Sequence, residues 1–299
     1  ADGSGRELIG NVASIVDDHL YLKTLFEFLN LQPEIKTPTH PVTIPSKVSH
    51  GLEMQSVSFR YPESDSLALD KVSLHIPPGS VVALVGENGS GTTTLIKLLT
   101  RLYDPTSGQI KLDGVDVRQF DPVSYRRLMS VIFQDYAMYA DTVSDNIRFG
   151  DVSLSETPER IIKAADNAGA DEFIKSLPNG YETKLTKMFD DGHDLSIGQW
   201  QRVALARALY PESKFVILDE PTSAVDPKAE FELFDNFRQR LSGRSALVIS
   251  HRLSTIRQTD YAYVLESGRI VEQGTHEELM QTQGRYADLF KKQAHHYIA

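Results

Sequence analysis

The chain has 299 residues, 40% of them hydrophobic and 24% charged, the composition of an ordinary globular protein with a sizeable core. Its net charge of -10 argues against nonspecific attraction to nucleic acid or to an anionic membrane surface, without excluding a local basic groove. With no cysteine, disulfides and thiolate metal sites are excluded, and no apolar run reaches the roughly 18 residues that a bilayer-spanning helix needs.

Residues 6–31 carry an amphipathic helical pattern, with Leu8, Val12, Ile15, Leu22, Phe26 and Leu29 recurring on one stripe beside His19. Two readings stand: a helix packed on its own domain, or the end of a longer helix. The start at Ala1, followed by Gly3-Ser4-Gly5, reads as a trimmed fragment. Pro33, Pro38, Pro41 and Pro45 then stop the helix and favour an extended linker, which puts a domain boundary near residue 48. From Leu52 to Ile76 short alternating segments read as antiparallel strands. The apolar run Val81–Val85 reads as a buried strand, and Leu95–Leu99 as a helix. Residues 109–133 return to short strands and a helical segment, ending in Ser130-Val131-Ile132-Phe133. Residues 136–212 are mostly helical in pattern. Phe215–Leu218 and Ala246–Ile249 are further buried-strand candidates. A hairpin around Glu266–Arg269 and one last helix from Glu277 close the chain, with Thr275 and Glu278 forming a capping box.

Between the strand at Val81–Val85 and the following helix lies Gly86-Glu87-Asn88-Gly89-Ser90-Gly91-Thr92-Thr93-Thr94. Strand, glycine-rich turn, helix is the geometry of a phosphate cradle: backbone N–H groups close around an anion at the positive end of the helix. The usual spacing is G-x-x-x-x-G-K-[ST], and the lysine place holds Thr92. Downstream, the run Phe215–Leu218 delivers Asp219 and Glu220 at a strand's C-terminal end, where open α/β sheets bind ligands. One carboxylate suits Mg²⁺ through its water shell, and the next suits orientation or deprotonation of a water. Between these lies Leu195-Ser196-Ile197-Gly198-Gln199, followed by Trp200-Gln201-Arg202 and opening a helix with serine as its cap.

This set of motifs resembles the nucleotide-binding domain of an ABC transporter of exporter type, over roughly residues 52–290. The resemblance implies a P-loop NTPase α/β fold: a mainly parallel sheet with an antiparallel β subdomain and a helical subdomain at about 136–212. Residues 1–48 would then be the end of a transmembrane or linker helix with a proline-rich linker, and residues 49–299 the nucleotide-binding domain. It implies roles residue by residue. Tyr61 resembles the aromatic that stacks on adenine, and Gly86, Glu87, Asn88, Gly89, Ser90, Gly91, Thr92, Thr93 and Thr94 the Walker A loop. Gln134 resembles the Q-loop glutamine. Leu195, Ser196, Ile197, Gly198 and Gln199 resemble the signature, acting in trans on a partner's nucleotide. Asp219 and Glu220 resemble the Walker B aspartate and the catalytic glutamate, Asp226 the D-loop aspartate and His251 the switch histidine. Thr93, Gln134 and Asp219 would hold Mg²⁺, and Glu220, His251 and Gln134 would serve hydrolysis of ATP. The implied partners are a second such domain in a head-to-tail homodimer and a transmembrane domain, with no nucleic acid, at the cytoplasmic face of a membrane.

Three departures qualify the match. Ile197 takes a glycine-class place in the signature, and Phe189-Asp190-Asp191-Gly192 matches loosely the loop that faces the membrane domain. Thr92 is the serious one, because losing a charge-assisted hydrogen bond costs about 1.5–3 kcal/mol. At about 1.4 kcal/mol per tenfold, nucleotide affinity should fall about 10- to 100-fold, with turnover suffering more. Its isolation among intact motifs points to an introduced change. A non-catalytic regulatory subunit of a transporter is the alternative, favoured by Thr92 and opposed by Glu220. ABC-type ATPases of chromosomes carry a long coiled coil between loop and signature, where here 103 residues separate Gly91 from Leu195. Ribosome-acting members usually hold two such domains in one chain.

Overall fold

A computed structural model describes residues 2–155, 157–188, 191–220, 237–241, 243–250 and 252–298. The chain divides into two compact units, residues 1–36 and 37–299. The first holds one helix, α1 (Asp2–Leu29), on which Val12, Ile15, Leu22, Phe26 and Leu29 are exposed. Among the described residues no helix is long and apolar enough to cross a membrane.

The second unit is built on two sheets. Strands β1 (Leu52–Phe59), β2 (Leu69–Ile76), β4 (Ser107–Leu112) and β5 (Val115–Asp116) form an antiparallel sheet in the order β2-β1-β4-β5. The other six are β3 (Val81–Val85), β6 (Met129–Ile132), β7 (Phe215–Asp219), β8 (Ser245–Ile249), β9 (Tyr261–Glu266) and β10 (Arg269–Gly274). Their order is β10-β9-β3-β8-β7-β6, with parallel pairing from β9 through to β6 and an antiparallel β9–β10 hairpin at one edge. Every residue of β3, β7 and β8 is buried, which is why these strands read as unbroken apolar runs rather than alternating ones.

The two-residue period of each strand decides which layer it packs against. Val82, Leu84, Phe215, Ile217, Leu247 and Ile249 join a core with the antiparallel sheet and helix α2 (Thr92–Leu99), whose Leu95, Ile96, Leu98 and Leu99 are fully buried. Each such aliphatic side chain contributes about 1.5–3 kcal/mol over its exposed state. Val216, Leu218, Ala246 and Val248 point the other way, into a core shared with α4 (Val143–Arg148), α5 (Pro158–Asn167), α6 (Asp171–Ser176) and α7 (Ile197–Leu209). Short helices α3 (Pro122–Arg126), α8 (Phe237–Arg240) and α9 (Leu253–Ile256) lie on the connections. Of the proline-rich stretch, Val42 bridges to Phe120, while Ile44 and Val48 pack against the first of these cores.

One element departs from the sequence reading. The expected single closing helix is two, α10 (His276–Thr282) and α11 (Arg285–Ile298). Thr275 and Glu278 form the expected capping box, but Gln283 takes a left-handed conformation with φ of 52° and ends α10. Their apolar face meets the β3–β9 sheet through Leu279 and Tyr286, against Ala83, Val85, Ala262 and Val264.

Candidate nucleotide-binding site

Parallel pairing brings the C-terminal ends of β3, β8, β7 and β6 to one edge of the sheet, in registers Leu84–Ile249, Ile249–Asp219 and Leu218–Ile132. Residues that follow those ends therefore meet whatever their separation in sequence. Out of β3 come Gly86–Gly91. Gly86 leaves room for the Ser90 side chain, since a Cβ there would lie 2.4 Å from Ser90 Oγ. Gly91 has φ of +108°, and a Cβ on it would meet the Ala68 carbonyl at 2.8 Å. The Ser90 N–H donates to the Glu87 carbonyl at 3.0 Å, closing the turn, and Gly268 in the β9–β10 hairpin donates to the Ser90 carbonyl at 2.9 Å.

Helix α2 starts from Gly91 with no side-chain cap and no acidic residue in its first turn. Its N-terminus thus presents its positive end and N–H groups to an anion. Ser90 Oγ is buried without a hydrogen-bond partner, a polar atom of the kind a bound ligand satisfies. Thr92 is half-buried at the first helical position, and Thr94 is buried.

Two expected partners touch the start of α2, and a third lies on the same sheet edge. The Thr93 hydroxyl donates to Asp219 Oδ2 at 3.4 Å. The Tyr61 hydroxyl is 3.1 Å from Thr94 Oγ1, and its ring packs edge-on against Phe59 and Tyr103 at 4.9 and 5.4 Å. Lys97 lies over that ring, 5.5 Å from its centre. Gln134 is exposed in the turn two residues beyond Ile132, on the same sheet edge.

Asp219 is buried, and burial, then the charge of Glu220, pushes its carboxyl up to about 6; the Thr93 hydrogen bond opposes this and Asp135 adds to it. A carboxylate held this reluctantly gains from a cation. Thr93 and Asp219 supply adjacent hard oxygen donors, the chemistry that Mg²⁺ prefers, so these residues fit that metal. Glu220 has φ of 47°, rare for a side-chain-bearing residue outside turns, and its N–H donates to the Ile249 carbonyl at 2.9 Å. Backbone strain held by flanking strands at a ligand-binding edge is a mark of function.

The signature residues lie elsewhere. Ser196 caps α7, accepting from the Gln199 N–H at 3.2 Å, while Gln199 Oε1 accepts from the Ser196 N–H at 2.9 Å. Leu195 is buried, Ile197 is 61% exposed and Gly198 half-buried. Tyr136 donates to the Ile197 carbonyl at 3.3 Å, which ties this segment to the stretch after Gln134 rather than to the loop. Asp226, His251, Phe189 and Asp190 lie outside the described residues.

Sequence reasoning missed two groups. Asp135 acts on Asp219 electrostatically, and only its place beside Gln134 hinted at it. Arg285 donates to Glu87 Oε1 at 2.9 Å across 198 positions of sequence, where no local pattern points.

A parallel sheet whose glycine loop feeds a helix N-terminus beside a buried carboxylate defines a P-loop nucleotide-binding domain. The ABC transporter family profile matches residues 69–223, just over half of the chain. The chain belongs to that family, as the ATP-binding domain of an ABC exporter. It is 42% identical over 290 residues to an ATP-dependent lipid A-core flippase of Alkalilimnicola ehrlichii, covering 96% of this chain and 48% of that protein. It is 43% identical over 273 residues to a mitochondrial potassium channel ATP-binding subunit of Rattus norvegicus, covering 90% of this chain and 37% of that protein. A bacterial Atm1-family ABC exporter solved with ATP bound superposes with a TM-score of 0.84 at 33% identity, over 94% of this chain and 48% of the other. The chain thus spans about half the length, or less, of these relatives.

Proposed function

We propose that this domain is the motor of a membrane exporter, binding MgATP at Gly86–Thr94 and using head-to-tail dimerisation and hydrolysis to drive transport. The observation that carries the reading is the contact of Thr93 with Asp219 beside the strained Glu220, at the mouth of an uncapped helix. In this reading Tyr61 stacks on adenine, and the loop amides and α2 hold the phosphates. Thr93, Gln134 and Asp219 hold Mg²⁺, which when bound neutralises phosphate charge. Glu220 takes the proton of the attacking water, with Gln134 orienting it. By the family resemblance, His251 would donate to the γ-phosphate and Asp226 would be the D-loop aspartate.

Ser196 and Gly198 would close over the nucleotide of a second copy: Ser196 and Ile197 are exposed at the start of α7, and Tyr136 ties that segment to the stretch after Gln134. The domain organisation proposed is linker and helix over 1–48, then the nucleotide-binding domain over 49–299 with a helical subdomain at about 136–212. The partners are an identical domain and a transmembrane domain, and the location is the cytoplasmic face of a membrane. Thr92 leaves this copy weak in binding and slow in turnover.

The test is the oligomeric state of Glu220→Gln with MgATP. Dimers that form with nucleotide, and are lost on adding Gly198→Glu, support the reading; a monomer at every nucleotide concentration, with nucleotide shown to be bound, refutes it. A regulatory, non-hydrolysing subunit is the second reading, favoured by Thr92. Binding without hydrolysis after Thr92→Lys would select it.

A further inference from the structure

We propose that Arg285 is a positioning residue for the phosphate loop, through which helix α11 sets the loop's affinity for a nucleoside triphosphate. This rests on the nucleotide reading of Gly86–Thr94. The start of α11 is fixed independently of the loop. Glu272 on β10 accepts from the backbone N–H groups of both Arg285 and Tyr286, the latter at 3.0 Å. Gly284 makes that approach possible, because a Cβ there would lie 2.1 Å from Glu272 Oε1. Tyr286 and Ala287 are buried, and His276 Nδ1 lies 2.8 Å from the Tyr286 hydroxyl, tying α11 to α10.

From this anchored backbone the guanidinium reaches two carboxylates at once, Glu87 Oε1 at 2.9 Å and Glu266 Oε1 at 3.1 Å. Glu87 is the second residue of the loop, and Glu266 ends β9, the strand paired with β3. Arg285 and Gly86–Ser90 line one cavity of about 170 Å³.

Two consequences follow from the charges. A carboxylate on the loop repels a polyphosphate, and a guanidinium paired with it removes that repulsion. The bridge also restrains the Glu87 end of the loop against a strand and a helix, so its amides are ordered before the anion arrives. With threonine in the lysine place, this bridge is a cation in ion-pair contact with the loop. Arg285 touches neither nucleotide nor reacting atoms in this scheme.

The experiment uses the full chain and measures MgATP affinity and thermal midpoint for Arg285→Ala, Arg285→Lys, Glu87→Gln, the Arg285→Ala/Glu87→Gln double variant and Thr92→Lys. Exposed ion pairs are worth up to about 1 kcal/mol, so Arg285→Ala should weaken MgATP about 2- to 5-fold. Arg285→Lys should recover part of the loss, and the Glu87→Gln background should abolish the effect of Arg285→Ala. The difference between wild type and Arg285→Ala should shrink with added salt. A lowered midpoint with unchanged affinity, or strictly additive losses in the double variant, overturns the proposal. If Thr92→Lys tightens MgATP while Arg285→Ala does nothing, only this proposal fails. If no loop variant alters MgATP affinity, the nucleotide reading fails with it.

Discussion

Thr92→Lys is the substitution from which most can be learned. Thr92 is half-buried at the first position of α2, between Gly91, whose left-handed backbone starts the helix, and Thr93, whose hydroxyl touches Asp219. Lysine is the better helix former by a few tenths of a kcal/mol, about 0.5 at most, so the fold should tolerate it. The new ammonium would reach the phosphates as a charge-assisted donor, a contact worth about 1.5–3 kcal/mol. At about 1.4 kcal/mol per tenfold this is roughly a 10- to 100-fold gain in MgATP affinity. Charge moves onto the bridging and γ-phosphate oxygens during phosphoryl transfer, so turnover should rise by more than binding. Titration with a fluorescent ATP analogue gives the affinity, and a coupled phosphate-release assay at high protein concentration gives the rate. An unchanged affinity together with an unchanged rate, in a variant with a wild-type thermal midpoint, would refute this account of Thr92.

Asp219→Asn should raise the thermal midpoint of the nucleotide-free protein at pH 7.5 while removing the Mg²⁺ dependence of ATP binding. The sign follows from burial, then Glu220, lifting the folded pKa from 3.8 to about 6: stability present below the lower value is lost as pH rises through the higher. The stabilisation by asparagine should therefore vanish near pH 4, and its persistence there would count against the electrostatic cause. Gly91→Ala should cost more than the roughly 1–2 kcal/mol of a left-handed residue, since its Cβ would also strike the Ala68 carbonyl. Gly89→Ala, with φ of +82° and open space around its Cβ, should cost only the backbone part; urea unfolding compares the two. Ser196→Ala should destabilise by about 0.5–2 kcal/mol through loss of the α7 cap, whereas Ser196→Thr should retain most of it.

The strands that carry the site were legible because they are buried on both faces: Val81–Val85, Phe215–Leu218 and Ala246–Ile249 announce themselves as apolar runs. The glycine loop was legible by its spacing, and the caps at Ser196 and Thr275 by their chemistry. Strand order was not, since β3 lies between β8 and β9, far away in sequence, and only the assembled sheet shows that Thr93 meets Asp219. The break at Gln283 escaped notice because glutamine is an ordinary helix residue, and its left-handed backbone is imposed by the packing of α11 on β10 through Glu272. Arg285 was invisible for the same reason, as an arginine with nothing local to mark it.

The most direct measurement is a crystal structure of this chain grown with Mg²⁺ and a non-hydrolysable ATP analogue. The expected density has the phosphates against the amides of Gly89–Thr93, a cation between Thr93 and Asp219, and adenine on Tyr61. Nucleotide bound at any other place, with the loop empty, would contradict the assignment of Gly86–Thr94 as the ATP site.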